Sequence, residues 1–228
     1  MAPSLTSLGG VIAPVVTPFD AERDEIRGDA FRANLRAHLA QGLAGVLVTG
    51  STGEAALLDD TERRQLVEWA RAVVPEDRWL LAGVGSESTR QTIARARDAA
   101  ERGADAVLVV APHYYGPAMT TDALAAHYRR VADASPVPVL LYNIPKYMHF
   151  ALSPELVHAL AAHGNIVGIK DSAGDLERLG GYLEAQSAHF TVLTGHAGTV
   201  YAALEMGAKG GILAVSLFAG ALTLELWS

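Results

Sequence analysis

The stretch GADAVLVVAPHYYGP, residues 103–117, contains a structural joint that repeats along the chain. Gly103 stands where a helix should stop, because glycine takes the left-handed turn at a helix C-terminus without steric cost. Ala106 to Val110 is then apolar at every position, as in a strand buried on both faces. The loop PHYYGP follows. A strand with two buried faces belongs to a sheet that helices cover on either side, and that sheet is parallel.

QGLAG (41–45) and EMGAKG (205–210) place glycine at two more helix-to-strand junctions. The strand-like runs are Val11 to Val16, Gly45 to Thr49, Trp79 to Val84, Ala106 to Val110, Val137 to Tyr142, Ile166 to Lys170, Phe190 to Thr194 and Gly210 to Val215. Between them, Ala30 to Leu39, Thr61 to Val73, Arg90 to Arg102, Asp122 to Ala134, Pro154 to Ala162 and Leu176 to Gln186 carry apolar residues at helical spacing. Ser153 before Pro154 suits an N-cap with proline at the first helical position, and Asp59 with Glu62 suits a capping box. Eight strand and helix units imply an α/β fold, the (β/α)8 TIM barrel, as one domain over residues 1–228. The competing doubly wound sheet lacks its G-x-G-x-x-G turn after the first strand. After the eighth strand only SLFAGALTLELWS (216–228) remains, so the eighth helix is expected to be incomplete and the domain C-terminally short, leaving apolar surface to be covered.

Composition narrows the function. Half of the 228 residues are hydrophobic and 19% are charged, enough for a full core, and the formal charge of −7 argues against a nucleic-acid or anionic-membrane surface. No cysteine is present, which excludes disulfides, thiolate metal sites and a cysteine nucleophile. The N-terminal MAPSLTSLGGVIAPVVTPFD has no basic region and is broken by Pro14 and Pro18, so it does not read as a signal peptide. The uncharged run Gly210 to Leu224 is shorter than the roughly 20 residues a spanning helix needs. A cytoplasmic protein with no membrane or nucleic-acid partner is expected.

Barrel enzymes place their chemistry at the C-terminal ends of the strands. Those junctions read Thr17, TGSTGE (49–54), PHYYGP (112–117), YNIPKY (142–147), KDS (170–172) and TGHAG (194–198). Lys170, one of three lysines against fifteen arginines, ends an apolar run. Burial there lowers the amine pKa and leaves more neutral amine to attack a ketone and form a Schiff base. The structural alternative is a lysine paired with Asp171. The Gly50 to Glu54 turn presents two hydroxyls and backbone N–H groups to a carboxylate or phosphate. Tyr142 is either a proton shuttle or a packed phenol. Tyr114 and Tyr115 either cap the site or form a subunit contact. His113, His149 and His196 fall on loops as polar residues, and no histidine pair has metal-ligand spacing.

With these junctions assembled, the chain resembles the dihydrodipicolinate synthase and N-acetylneuraminate lyase family of class I (Schiff-base) aldolases. The resemblance rests on GVIAPVVTPF (10–19), GSTGEAALLDDTERRQLVE (50–68), AGVGSESTRQTI (82–93), GADAVLVVAPHYYGP (103–117), VPVLLYNIP (137–145), NIVGIKDSAGD (165–175) and GAKGGILAV (207–215), in the family's order. It implies Lys170 as the Schiff-base lysine, Tyr142 as its proton-transfer phenol, Ser51 as the connecting hydroxyl, and Tyr115 as the tyrosine that reaches a neighbouring subunit's site. It further implies substrate-binding positions at Thr52, Gly50, Gly53, Gly195, Ile212, Lys146 and Tyr147. The same resemblance implies a 2-oxo acid substrate with pyruvate as product or co-substrate, no cofactor, no metal, and a homo-oligomer, dimer or tetramer.

Tyr147 stands where the biosynthetic synthases carry an arginine, and Gly195 to Gly198 lacks the acidic pair of the sialic acid lyases. GSESTRQT (85–92), GIKDSAGD (168–175) and TGHAGTVYAALEMGAKGG (194–211) look most similar to the 4-hydroxy-2-oxoglutarate aldolase branch. A carbon–carbon lyase acting on a 4-hydroxy-2-oxo acid is therefore expected. The alternatives are 4-hydroxy-tetrahydrodipicolinate synthase, a 2-keto-3-deoxy sugar acid aldolase or dehydratase, and an inactive pyruvate-binding sensor.

Overall fold

The computed structural model describes residues 8–228. Part of the N-terminal segment weighed above against a signal peptide, residues 1–7, lies outside the described residues. Eight parallel strands form a closed barrel in chain order: β1 (Gly10–Pro14), β2 (Gly45–Val48), β3 (Trp79–Gly83), β4 (Ala106–Val110), β5 (Val139–Asn143), β6 (Ile166–Asp171), β7 (Thr191–Thr194) and β8 (Gly210–Ile212). The strand β8 pairs with β1 through Gly10↔Gly210, Val11↔Gly211 and Ile12↔Ile212, which closes the sheet. The (β/α)8 architecture is the one read from the alternating pattern.

The outer layer contains α1 (Gly28–Leu39), α2 (Asp60–Arg71), α3 (Thr89–Glu101), α4 (Thr121–Ala134), α5 (Pro145–Met148), α6 (Pro154–Ala161), α7 (Leu176–Leu183), α8 (Val200–Glu205) and α9 (Ser216–Trp227). Their starts follow local chemistry. Asp59 and Glu62 form a reciprocal capping box at 2.8 Å each, and Ser153 Oγ accepts the Leu156 N–H ahead of α6, whose first residue is Pro154. Gly42, Gly103 and Gly207 all have positive φ at the helix-to-strand junctions.

Several boundaries differ from the apolar runs. The fifth strand begins at Val139 because Pro138 has no N–H to give the ladder and contributes only its carbonyl, to Val107. The eighth ends at Ile212, since the chain turns at Leu213, whose carbonyl accepts the Ser216 N–H and hydroxyl. The helix α9 has 12 residues, is broken by non-helical dihedrals at Ala219, and packs against β1. Its outer face leaves Phe218, Leu222, Leu226 and Trp227 exposed. Among the described residues no helix is long and apolar enough to cross a membrane.

All eight C-terminal strand ends open on one face because the strands are parallel. That face gathers Thr49, just past β2, with Tyr142, Lys170 and Thr194 from β5, β6 and β7, all 5% exposed or less.

Candidate active site

Strand pairing aligns Tyr142 of β5 directly with Lys170 of β6. The ammonium nitrogen of Lys170 lies 4.4 Å from the centroid of the Tyr142 ring. Burial pushes the Lys170 amine below the ordinary lysine value, and the neighbouring Tyr142 phenol pulls the other way. Burial weighs more, because the charged form loses water that one phenol does not replace.

The structural alternative, a Lys170–Asp171 pair, is not what forms. Successive residues of a strand face opposite sides, so Asp171 points away from its neighbour. Its carboxylate Oδ1 accepts Asn143 Nδ2 at 2.7 Å and the Ala173 N–H at 3.3 Å. Asn143, fully buried, also accepts the Leu152 N–H at 3.0 Å. Burial raises the Asp171 pKa and the Asn143 hydrogen bond opposes the rise. The Asn143–Asp171 bridge thus fastens β5 to β6 one residue beyond the Tyr142–Lys170 pair.

The turn after β2 starts from a strained residue. Thr49, β-branched and buried, has φ 51°, a left-handed conformation that a β-branched side chain resists, and its hydroxyl donates to Gly83 O at 2.9 Å. Such strain persists only where the surroundings over-determine it, commonly at functional sites. The chain then forms a 3-10 turn, Ser51–Gly53, closed by Glu54 at φ 58°. Gly53 is closely packed here: a Cβ would lie 3.0 Å from Val15 O, and Thr17 Oγ1 ties its carbonyl down at 2.8 Å. Ser51 and Tyr142 line one cavity of about 50 Å³ together with Gly50, Gly85 and Val110. The Ser51 side also opens into a cleft of about 510 Å³ bounded by Glu87, His113, Ile144 and Tyr147.

Gly195 follows β7 and donates its N–H to Asp171 O at 2.6 Å. A Cβ at this position would lie 2.6 Å from Lys170 Cε and 2.1 Å from Ser172 Oγ, so the lysine stem fills the space a side chain would take. Ile212 is buried at the end of β8. Thr52 is half-buried beside Ser51. Lys146 and Tyr147 stand exposed on α5, with the Lys146 ammonium 5.4 Å from the Tyr147 ring centroid.

Tyr115 is not brought to Lys170 within one chain. It is 69% exposed and meets Tyr114 edge-on at 4.9 Å. The loop that carries the pair is held by Glu87, whose Oε2 accepts the N–H groups of His113 and Tyr114 at 2.9 Å each. His113 lines the larger cleft, whereas His149 and His196 lie exposed. Among the described residues no three metal-ligating side chains converge.

Thr17, Asn143, Asp171 and Glu87 were passed over as site residues by sequence reasoning. Thr17, Asn143 and Asp171 carried a signal, their place in the strand-end junctions. The Glu87 contacts join segments 26 and 27 residues apart and leave no local pattern.

The profile described as the Dihydrodipicolinate synthetase family matches residues 7–227. The chain is 42% identical over 204 residues to a 4-hydroxy-tetrahydrodipicolinate synthase of Stenotrophomonas maltophilia, a match that spans 90% of this chain and 68% of that protein. The fold superimposes on the chloride-inhibited dihydrodipicolinate synthase of Acinetobacter baumannii complexed with pyruvate at a TM-score of 0.91 and 32% identity, over 96% of this chain and 74% of that one. YagE of E. coli K12, a prophage protein of the same family in complex with pyruvate, matches at a TM-score of 0.90 and 31% identity, again over 96% and 74%.

Proposed function

Because the chain belongs to the dihydrodipicolinate synthetase family, a family of Schiff-base lyases and synthases, we propose that it forms a lysine imine with a 2-oxo acid, pyruvate first, at Lys170. The observation that carries this reading is a buried amine with no carboxylate partner, set against a tyrosine that shares a cavity with Ser51. The unit that does the chemistry is the single barrel domain over residues 1–228, operating in the cytoplasm in keeping with its acidic balance.

Lys170 attacks C2 of the oxo acid, and loss of water gives the imine. The Thr52 hydroxyl and the Gly50 and Gly53 backbone hold the carboxylate, which turns binding energy into orientation. Gly195 and Ile212 leave room around the imine carbon. In the cleavage direction the protonated imine accepts the electron pair of the C3–C4 bond while Tyr142 takes the C4 hydroxyl proton. An aldehyde leaves, the enamine regains a proton at C3, and water releases pyruvate. In the synthetic direction the enamine attacks an aldehyde instead. Ser51 relays the proton, joined by Tyr115 of a second copy in a dimer or tetramer; the exposure of the Tyr114–Tyr115 pair and the open cleft beside Ser51 support that exchange. Lys146, Tyr147, His113 and His196 meet the distal end of the substrate.

The names of the relatives favour condensation of pyruvate with aspartate semialdehyde as the overall reaction. The second reading, cleavage of a 4-hydroxy-2-oxo acid such as 4-hydroxy-2-oxoglutarate, is favoured by Tyr147. A phenol cannot reproduce the bidentate carboxylate contact of a guanidinium at that place in the mouth. Pyruvate consumption with aspartate semialdehyde, measured beside pyruvate release from 4-hydroxy-2-oxoglutarate and from 2-keto-3-deoxy sugar acids, separates these. A kcat/KM at least tenfold higher for one substrate assigns the reaction, and pyruvate binding with no turnover on any of them refutes the enzyme reading in favour of a sensor.

A further inference from the structure

Arg63 is absorbed by none of the chemistry above, yet it is among the most unusual side chains in the protein. It sits in the first turns of α2 and is only 9% exposed. A buried cation is ordinarily paired, since the cost of removing a charge from water is several kcal/mol. Among the described residues Arg63 forms no ion pair; its neighbour Arg95 takes Asp60 at 2.8 Å instead. Burial and the repulsion of Arg95 bring the Arg63 pKa down to about 10, so the guanidinium remains charged at neutral pH.

The charge is spent on backbone carbonyls. One terminal nitrogen of Arg63 donates to Ala55 O, the other to Gly83 O at 3.4 Å, and Nε donates to Leu58 O at 3.4 Å. Ala55 and Leu58 belong to the segment that continues the Ser51–Gly53 turn, and Gly83 ends β3. The same Gly83 carbonyl accepts the hydroxyl of strained Thr49. Within the segment the backbone bonds are all of short range, such as Ala55 N to Gly50 O at 3.2 Å and Leu57 N to Glu54 O at 2.9 Å. The turn therefore lacks a sheet or helix ladder and hangs from two side chains, Thr17 at Gly53 and Arg63 further along. Arg63 also lines the small cavity that holds Ser51 and Tyr142.

We propose that Arg63 is a positioning residue: its guanidinium fork fixes the 50–58 loop so that Ser51, Thr52 and the loop N–H groups converge on the substrate carboxylate. The proposal rests on the reading of that loop as the carboxylate site. Five planar donors reach three carbonyls at once, which a lysine ammonium on a flexible stem does not.

The test uses the full chain with Arg63→Lys and Arg63→Ala, the latter with and without added guanidinium. Two readouts are taken: the pyruvate concentration that half-saturates borohydride trapping, and peptide-level hydrogen exchange over residues 50–58. In both variants half-saturation should rise about 10-fold to 100-fold, the loss of a charge-assisted hydrogen bond, while the maximum adduct level stays near wild type. Exchange should accelerate over 50–58 and stay unchanged over β5 and β6, and guanidinium should restore part of the Arg63→Ala loss. Unchanged half-saturation, unchanged loop exchange, or a general loss of the fold in both variants would overturn the proposal, the last because Arg63 would then determine the barrel and not one loop. Failure of the wild type to take pyruvate refutes the Schiff-base reading instead, and loop exchange then decides the role of Arg63.

Discussion

Replacing Gly195 with alanine tests the packing around the reactive amine without removing any polar group. The new Cβ would stand 2.6 Å from Lys170 Cε and 2.1 Å from Ser172 Oγ. The Ser172 hydroxyl can turn aside. The lysine methylene must retreat by about 1 Å to reach an ordinary carbon–carbon separation of roughly 3.5 Å. Misplacing a reacting group by that distance costs on the order of 10²-fold in rate. Overpacking of this kind destabilises by about 1–3 kcal/mol, or roughly 2–12 °C in Tm for a chain of this size. The assay is the initial rate of borohydride trapping with saturating pyruvate, read by intact mass, beside a thermal melt. Gly164→Ala is the control, because a Cβ there meets nothing within 4 Å, and both its rate and its Tm should match wild type. A Gly195→Ala protein that traps pyruvate at the wild-type rate would refute the claim that this glycine makes room for the lysine.

Tyr142→Phe keeps the ring against Lys170 and removes the proton carrier; adduct formation should persist while turnover falls at least about 10²-fold, and near-wild-type turnover would remove the assigned role. The trapping rate should rise with pH as the neutral amine accumulates, with a midpoint below the ordinary lysine value of 10.5 because burial lowers the Lys170 pKa; a midpoint at or above 10.5 contradicts it. His127, buried between α3 and α4, donates to or accepts from Thr89 Oγ1 at 2.9 Å, and its pKa is lowered to about 4, by burial first and by Arg130 second. A depressed folded pKa gives stability that is complete above the unfolded value near 6.5 and is lost as pH falls through 4, up to about 3 kcal/mol. Urea midpoints should therefore drop more steeply from pH 6.5 to 4 in the wild type than in His127→Gln, and parallel profiles would contradict the assignment.

The fold was legible because its determinants are local. Apolar runs, glycine stops and the Asp59 and Ser153 caps each act within a few residues, and their repetition is enough to name the barrel. Boundaries were legible only where the backbone follows side-chain pattern. The Pro138 imide and the turn at Leu213 shorten two strands for hydrogen-bonding reasons that apolar runs do not record. Within the site, Lys170 and Tyr142 were readable as strand-end residues, and parallel register then brought them together. Other features depend on contacts distant in sequence: Asp171 turned toward Asn143, Gly195 packed on the lysine stem, Glu87 clamped on the 113–114 backbone, and Arg63 reaching from α2 to the Gly83 carbonyl at the end of β3. Tyr115 carried a signal as one of two adjacent loop aromatics, and the structure leaves it 69% exposed, away from the buried Lys170.

The central claim is that Lys170 is the imine-forming amine. The protein has three lysines, so the other two serve as internal controls. Incubation with pyruvate and borohydride, followed by peptide mapping, should place a single covalent adduct on Lys170 and leave Lys146 and Lys209 unmodified. No adduct, or an adduct confined to Lys146 or Lys209, would contradict the account.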